Sequence, residues 1–86
     1  MSAFRLRIVT PQEEFPEREV EALDVPGWEG RLTILARHAP LICALREGEA
    51  RMAVNGAWER WRLAAGVLRA QPDGVWLLVS EARREN

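Results

Sequence analysis

The stretch ARMAVNGAWERWRL, residues 50–63, decides the kind of fold to expect. Apolar residues recur at every second position on both sides of Asn55-Gly56, which is the period of a strand with one buried face. They are Ala50, Met52, Val54, Trp61 and Leu63. Asparagine and glycine both tolerate the positive φ that a two-residue type I′ turn requires. The stretch therefore predicts a β-hairpin whose two strands share an apolar face.

The same pattern extends through the rest of the chain. FRLRIVT (4–10) alternates apolar residues with arginines, and EVEALDV (19–25), RLTIL (31–35), LICAL (41–45) and GVLRAQ (66–71) are predicted as strands. Turns are predicted at PGWEG (26–30), at Gly48 and at PDG (72–74), since proline fixes one φ and glycine permits positive φ. No stretch has a useful helical period.

Two segments near the C-terminus carry more specific expectations. VWLLVS (75–80) is nearly all apolar, which predicts a central strand buried on both faces. EARREN (81–86) is polar and is expected to be too short to pack. Together with the other segments this predicts an all-β fold, a flattened antiparallel β-sandwich or barrel of about ten short strands, in one domain spanning residues 1–86.

Composition narrows the class of protein. At 86 residues the chain is one small domain with a thin core. The formal net charge of −1 gives no overall attraction to nucleic acid or anionic lipid, although all 12 basic residues are arginine. Nothing at the N-terminus is typical of a signal peptide, and no window is apolar enough to span a membrane.

The residues that carry chemistry are few. The single histidine, His38, and single cysteine, Cys43, do not make a metal site, and no serine sits in a nucleophile motif. A catalytic Cys43–His38 pair is one interpretation, but a small core cysteine is favoured. No glycine-rich phosphate-binding loop is present. We therefore expect a protein that is not an enzyme, with no catalytic residue, metal or cofactor.

Three stretches carry a resemblance to a known family. They are GWEGRLTI (27–34), HAPL (38–41) and LAAGVLRAQPDGVWLLV (63–79). In this order and spacing they resemble the N-terminal domain of the epsilon subunit of F-type ATP synthases, over nearly the whole chain. The resemblance implies a flattened ten-stranded β-sandwich, in agreement with the strand pattern above.

The resemblance also implies a function. The expected protein is a non-catalytic rotor subunit of the central stalk, which joins the gamma subunit to the c-ring and couples proton or sodium translocation to ATP synthesis or hydrolysis. It is expected at the cytoplasmic face of the bacterial inner membrane, held there only through the c-ring and without nucleic acid. The residues expected to contact gamma or the c-ring are Trp28, Glu29, Arg31, Arg37, His38, Ala39 and Pro40.

Several features depart from the family pattern. Arg31 stands where the family has an acid that faces the c-ring, and Thr33 replaces a glycine. The sign change predicts a partner loop that is less basic than usual, or acidic. The chain ends at Asn86, where the family continues into a helical hairpin, so that hairpin is expected to be absent. The alternative is a stand-alone β-sandwich module in which Trp28, Trp58 and the arginines hold a ligand or single-stranded nucleic acid.

Overall fold

The structure is a computed structural model that describes residues 2–85, and these form ten strands and no helix. In chain order the strands are β1 (Phe4–Val9), β2 (Arg18–Val20), β3 (Ala22–Gly27), β4 (Gly30–Leu35), β5 (Leu41–Leu45), β6 (Gly48–Val54), β7 (Ala57–Leu63), β8 (Gly66–Gln71), β9 (Gly74–Val79) and β10 (Ala82–Glu85). A helix able to cross a membrane is accordingly not found in the described part of the chain.

The ten strands form one continuous sheet that closes over a core as two layers. One layer holds β4-β3-β6-β7-β10 and the other holds β5-β8-β9-β1-β2. A single residue pair, Gly27 with Leu45, carries the hydrogen-bonded path from the first layer to the second. The predicted flattened sandwich of about ten strands is confirmed.

The core follows the period-two pattern. The buried side chains come from the inward positions of both layers and include Leu6, Leu23, Met52, Trp61 and Leu77. The predicted β6–β7 hairpin is confirmed, with positive φ at Asn55 (52°) and at Gly56 (80°) as a type I′ turn requires. Arginines occupy the outward positions, where their guanidinium groups reach solvent.

The expectation of a purely antiparallel sheet is wrong at one pair of strands. β1 runs parallel to β9, with Leu6 opposite Val75 and Ile8 opposite Leu77. Alternation of apolar and polar residues reports which face is buried and carries no information on strand direction. Because β1 and β9 lie at opposite ends of the sequence, no tight turn dictates an antiparallel arrangement.

The predicted strand over residues 19–25 is also divided. It breaks at Glu21 into β2 and β3, and Glu21 accepts a hydrogen bond from the Gly56 N–H (3.1 Å). The break changes which residues face inward, because a one-residue offset moves a strand's side chains to the other face. Val20 is buried in β2, but in β3 Leu23 and Val25 are buried, so Ala22 points outward.

Two expectations near the C-terminus are corrected. β9 is central in its layer but is buried on one face only, since Val75, Leu77 and Val79 point inward and Leu78 is 44% exposed. An apolar run cannot by itself distinguish one covered face from two. The polar segment at the C-terminus packs as β10 along β7, because backbone hydrogen bonding does not require apolar side chains. Asn86 lies outside the described residues.

Candidate functional site

The β3–β4 hairpin places Trp28 and Glu29 at its tip, and both are exposed. The Trp28 N–H donates to the Ala44 carbonyl oxygen (3.0 Å) and the Arg46 N–H donates to the Pro26 carbonyl oxygen (2.8 Å), so the tip is fastened to the end of β5. The Arg46 guanidinium lies 4.7 Å from the centre of the Trp28 ring. Trp28 is therefore held by a cation–π contact while 56% of it remains exposed.

Arg31 begins the return strand of this hairpin and is partly neutralised within the chain. Its Nη2 lies 3.3 Å from Asp24 Oδ2, and Arg51 Nη2 lies 3.1 Å from the same oxygen. Burial raises the pKa of Asp24, but the hydrogen bonds and charges of Arg31 and Arg51 outweigh it and hold the pKa below the ordinary 3.8. Asp24 is thus a stable carboxylate shared by two arginines.

A cleft of about 550 Å³ opens between the β3–β4 hairpin and β5. Trp28, Arg31, Ile42 and Cys43 are among the residues that line it. Cys43 is half-buried and packs against the core, and its thiol donates to the Ala44 carbonyl oxygen (3.3 Å). The cleft joins an exposed aromatic ring, an arginine and an aliphatic side chain, a combination suited to contact with another protein.

The remaining predicted residues lie in the connection between β4 and β5. Arg37 has a φ of 65°, a left-handed conformation that costs a non-glycine residue about 1–2 kcal/mol. The His38 ring meets Phe4 edge-on, with the ring centres 5.6 Å apart. Ala39 and Pro40 are exposed. This connection, with Phe4 and Asp73, borders a second cavity of about 480 Å³.

His38 has an unusual hydrogen-bond state. Its ring is half-buried, and within residues 2–85 its buried Nδ1 atom has no hydrogen-bond partner. A buried polar atom without a partner costs free energy and requires an explanation. The expected bond from His38 to a neighbouring backbone group is thus not made through Nδ1.

The structure separates the predicted contact residues into two groups. Trp28, Glu29 and Arg31 lie at the tip of the β3–β4 hairpin, and 37–40 follow the other end of β4. Five residue steps along β4, at about 3.3 Å each, put the two groups roughly 17 Å apart. The predicted residues therefore form two surfaces and not one site.

Sequence analysis missed a third surface, on the outside of β5, β8 and β9. Ala44, Val67 and Leu78 are paired across these strands, and Ile42 lies two residues before Ala44 on β5. Ile42 is 73% exposed. The signal was present in the sequence, because LICAL and VWLLVS carry apolar residues at both odd and even positions. It was taken as evidence of burial on two faces, when one face is open in the described chain.

The arrangement offers surfaces for contact and no arrangement for metal chemistry. Among residues 2–85 no group of three His, Cys, Asp or Glu side chains is placed to hold a metal ion. The strongest ion pairs join strands of the fold: Asp24 lies between arginines of β4 and β6, and Glu59 of β7 binds Arg18 of β2. The charged groups therefore act mainly in holding the strands together.

Comparison with known proteins agrees with this picture. Residues 3–85 match the family model described as the ATP synthase delta/epsilon chain β-sandwich domain. The ATP synthase epsilon chain of Dehalococcoides mccartyi is 34% identical over 84 residues, which is 98% of this chain and 60% of that protein. The epsilon chain of Herminiimonas arsenicoxydans is 38% identical over 82 residues, 93% of this chain and 59% of that protein.

Two solved structures share the fold. One is the mitochondrial ATP synthase of Euglena gracilis (OSCP/F1/c-ring), with a TM-score of 0.89 and 19% identity over 95% of this chain and 53% of the matched chain. The other is the central stalk and c-ring of the Tetrahymena thermophila enzyme, with a TM-score of 0.79 and 13% identity over 93% and 65% of the two chains.

The sequence matches cover nearly all of this chain, while the chain spans about three-fifths of the length of the curated relatives. The match to the family model runs from the start of β1 to the end of β10, so it includes every strand of the sandwich. This chain belongs to the family of ATP synthase delta/epsilon chain β-sandwich domains.

Proposed function

We propose that this chain is a non-catalytic rotor subunit of the central stalk of an F-type ATP synthase. In this role it joins the gamma subunit to the c-ring, and it transmits rotation between ion translocation and ATP synthesis or hydrolysis. The observation that carries the proposal is the division of the contact residues into two groups about 17 Å apart along β4. A subunit that links two partners requires two separate surfaces.

The tip of the β3–β4 hairpin is assigned to the c-ring. Trp28 and Glu29 project from a tight turn whose backbone is tied to β5, so the tip is both exposed and positioned. Arg31 lies beside it with about half of its side chain exposed. A strongly basic loop in the cognate c subunit would contradict this assignment, because Arg31 would then face like charge.

The 37–40 connection is assigned to gamma. His38 Nδ1 lacks a partner within residues 2–85, and a hydrogen bond from a partner chain would satisfy it. The left-handed Arg37 holds the exposed Ala39 and Pro40 in a defined turn. The outer face of β5, β8 and β9, with Ile42 at its edge, offers apolar area of the kind found at stable subunit interfaces.

This assignment puts the chain at a membrane without inserting it. Contact with the c-ring would hold it peripherally, at the cytoplasmic face of the bacterial inner membrane. The alternative of a stand-alone module that binds a ligand or nucleic acid is not favoured, since it does not account for the family match along the whole sandwich.

Co-expression with the cognate gamma and c subunits tests the proposal. A stoichiometric complex of this chain with gamma is expected, and that complex should bind the detergent-solubilised c-ring. His38→Ala should reduce the recovery of gamma. Arg31→Ala should leave the recovery of gamma unchanged and reduce c-ring binding, and the exposed Glu81→Ala should change neither. A well-folded chain that recovers no gamma would refute the proposal.

A further inference from the structure

An apolar row crosses the outside of the other layer, away from both groups of proposed contact residues. It consists of Leu35 on β4, Ala22 on β3, Ala53 on β6 and Trp58 on β7, each directly opposite the next. Residues that are directly opposite point to the same side of a sheet. Leu35 is 57% exposed and Trp58 is 59% exposed, while the two alanines between them are half-buried. We call these four residues the outer apolar row.

The outer apolar row has the shape of a shallow trough. Its floor is two alanine methyl groups, and its walls are a leucine and a tryptophan. Four strands separate into three spacings of about 4.8 Å, so the backbones of the walls are roughly 14 Å apart. An α-helix with its side chains is about 10–12 Å across. A helix lying along β3 and β6 therefore fits between Leu35 and Trp58.

The charge of this face indicates the chemistry of its occupant. Its outward positions carry five arginines and three carboxylates: Arg31, Arg51, Arg60, Arg62, Arg83, Asp24, Glu49 and Glu85. The face is thus net positive, although the whole chain has a formal charge of −1. Acidic groups on a partner would be attracted here, and basic ones repelled.

Arg51 connects the charged positions to the apolar row. Its guanidinium lies 5.8 Å from the centre of the Trp58 ring and also bonds Asp24. The tryptophan is therefore held at the edge of the trough by a cation–π contact, beside the arginines. A large aromatic side chain held in place beside arginine is the combination most enriched at the energetic centres of protein interfaces.

We infer that the outer apolar row is the docking site for an amphipathic α-helix of a partner protein, one that carries carboxylates beside its apolar stripe. The helix would place its apolar side chains over Ala22 and Ala53, between Leu35 and Trp58, and its carboxylates over the arginines of β6 and β7. A second copy of this chain is a poorer occupant, because it would bring a second net-positive face to the same interface. The site uses neither Trp28 nor His38, so it is independent of the proposed contacts with gamma and the c-ring.

The probe for this site is a synthetic amphipathic helix of about 18 residues, long enough to form a helix in water. One version has glutamates beside its leucine stripe, and a matched version has lysines at those positions. Binding to the full chain is measured by fluorescence anisotropy of the labelled peptide at low and high salt. The glutamate peptide should bind at least about tenfold more tightly than the lysine peptide at low salt, and this preference should fall at high salt.

Variants locate the binding on the structure. Trp58→Ala and Leu35→Ala, on opposite walls of the trough, should each weaken binding of the glutamate peptide about tenfold. Trp28→Ala removes an equally exposed tryptophan elsewhere and should change the affinity less than twofold. Since all three side chains are more than half exposed, circular dichroism should show folded variants.

Four outcomes would overturn the inference. One is that neither peptide binds, and another is that Trp58→Ala binds as tightly as the unaltered chain. A third is concentration-dependent dimerisation in sedimentation that Trp58→Ala abolishes, which would make a second copy the occupant. The fourth is tighter binding of a labelled oligothymidine than of the glutamate peptide, with the same loss in Trp58→Ala, which would assign the face to single-stranded nucleic acid.

Discussion

Replacing Glu59 by glutamine removes the charge on which three strands converge. Glu59 lies on β7, and its two oxygens accept hydrogen bonds from both terminal nitrogens of Arg18 on β2, at 2.6 and 2.7 Å. Trp61 donates its indole N–H to the same carboxylate (3.2 Å), and Arg84 of β10 lies 3.4 Å from it. The group therefore joins the two layers of the sandwich and holds the C-terminal strand.

The expected loss of stability follows from these contacts. Hydrogen bonds to a charged group contribute about 1.5–3 kcal/mol, and breaking a fully buried ion pair costs about 3–5 kcal/mol. The Glu59 side chain is only 12% exposed but Arg18 is 30% exposed, so water compensates in part. Glutamine also retains one oxygen acceptor. We expect Glu59→Gln to lower the free energy of unfolding by about 2 kcal/mol, which corresponds to roughly 8–16 °C in Tm for a chain of this size.

The loss should depend on pH in a defined direction. The hydrogen bonds from Arg18 lower the pKa of Glu59 below the ordinary 4.5; burial opposes this, and Trp61 and the charges of Arg18 and Arg84 add to it. A carboxyl whose pKa is lower in the folded state contributes stability that is complete above its unfolded pKa and is lost as the pH falls through its folded pKa. The difference between the unaltered chain and Glu59→Gln should therefore be constant near neutral pH and should shrink in acid.

Urea unfolding followed by tryptophan fluorescence at several pH values measures this difference. Glu17→Gln is the matched control, because Glu17 bonds Arg7 at 2.9 Å while both side chains are more than one-third exposed or nearly so (35% and 44%). That exposed pair should contribute at most about 1 kcal/mol. The reasoning fails if Glu59→Gln costs no more than Glu17→Gln at pH 7, or if its cost is the same in strong acid as at neutral pH.

Two further substitutions test the packing of the sandwich. Gly66→Ala would drive a Cβ into the Leu78 carbonyl oxygen and to 2.7 Å from Val79 Cα, so a loss of about 3 kcal/mol is expected by chemical denaturation. Gly56→Ala is its control, because only the φ of 80° opposes it and the loss should be about 1 kcal/mol. Met52→Ala removes a fully buried side chain and should cost about 2–5 kcal/mol in the same assay, and a loss below 1 kcal/mol would contradict the assignment of Met52 to the core.

The sequence allowed the strands to be predicted because the period-two signal is strong where one face is wet. Around Asn55-Gly56, both the turn type and the inward side chains were correct. The signal failed where both faces are apolar, as in β9, because exposure of Leu78 depends on whether another layer covers that face. It failed again at Glu21, since a one-residue break leaves no trace in composition.

Prediction of the site was more limited. The resemblance named residues 28–31 and 37–40, and both groups are largely exposed. Their separation depends on the direction of β4, which a list of motif residues does not show. The outer apolar row was beyond reach for another reason: Ala22, Leu35, Ala53 and Trp58 come from four strands, and only the register of those strands brings them together. Surfaces built across a sheet are a property of register, and a single sequence rarely specifies register.

The environment of Arg31 refines what its sign change means. Taken alone, an arginine where the family has an acid calls for an acidic partner loop. In the structure, Arg31 and Arg51 share one oxygen of Asp24, so these three groups have a net charge of +1 spread over two guanidinium groups. Glu29, exposed at the neighbouring tip, supplies an opposite charge of equal size. The hairpin end is therefore close to neutral overall, and a partner loop that is less basic than usual fits it better than a strongly acidic one.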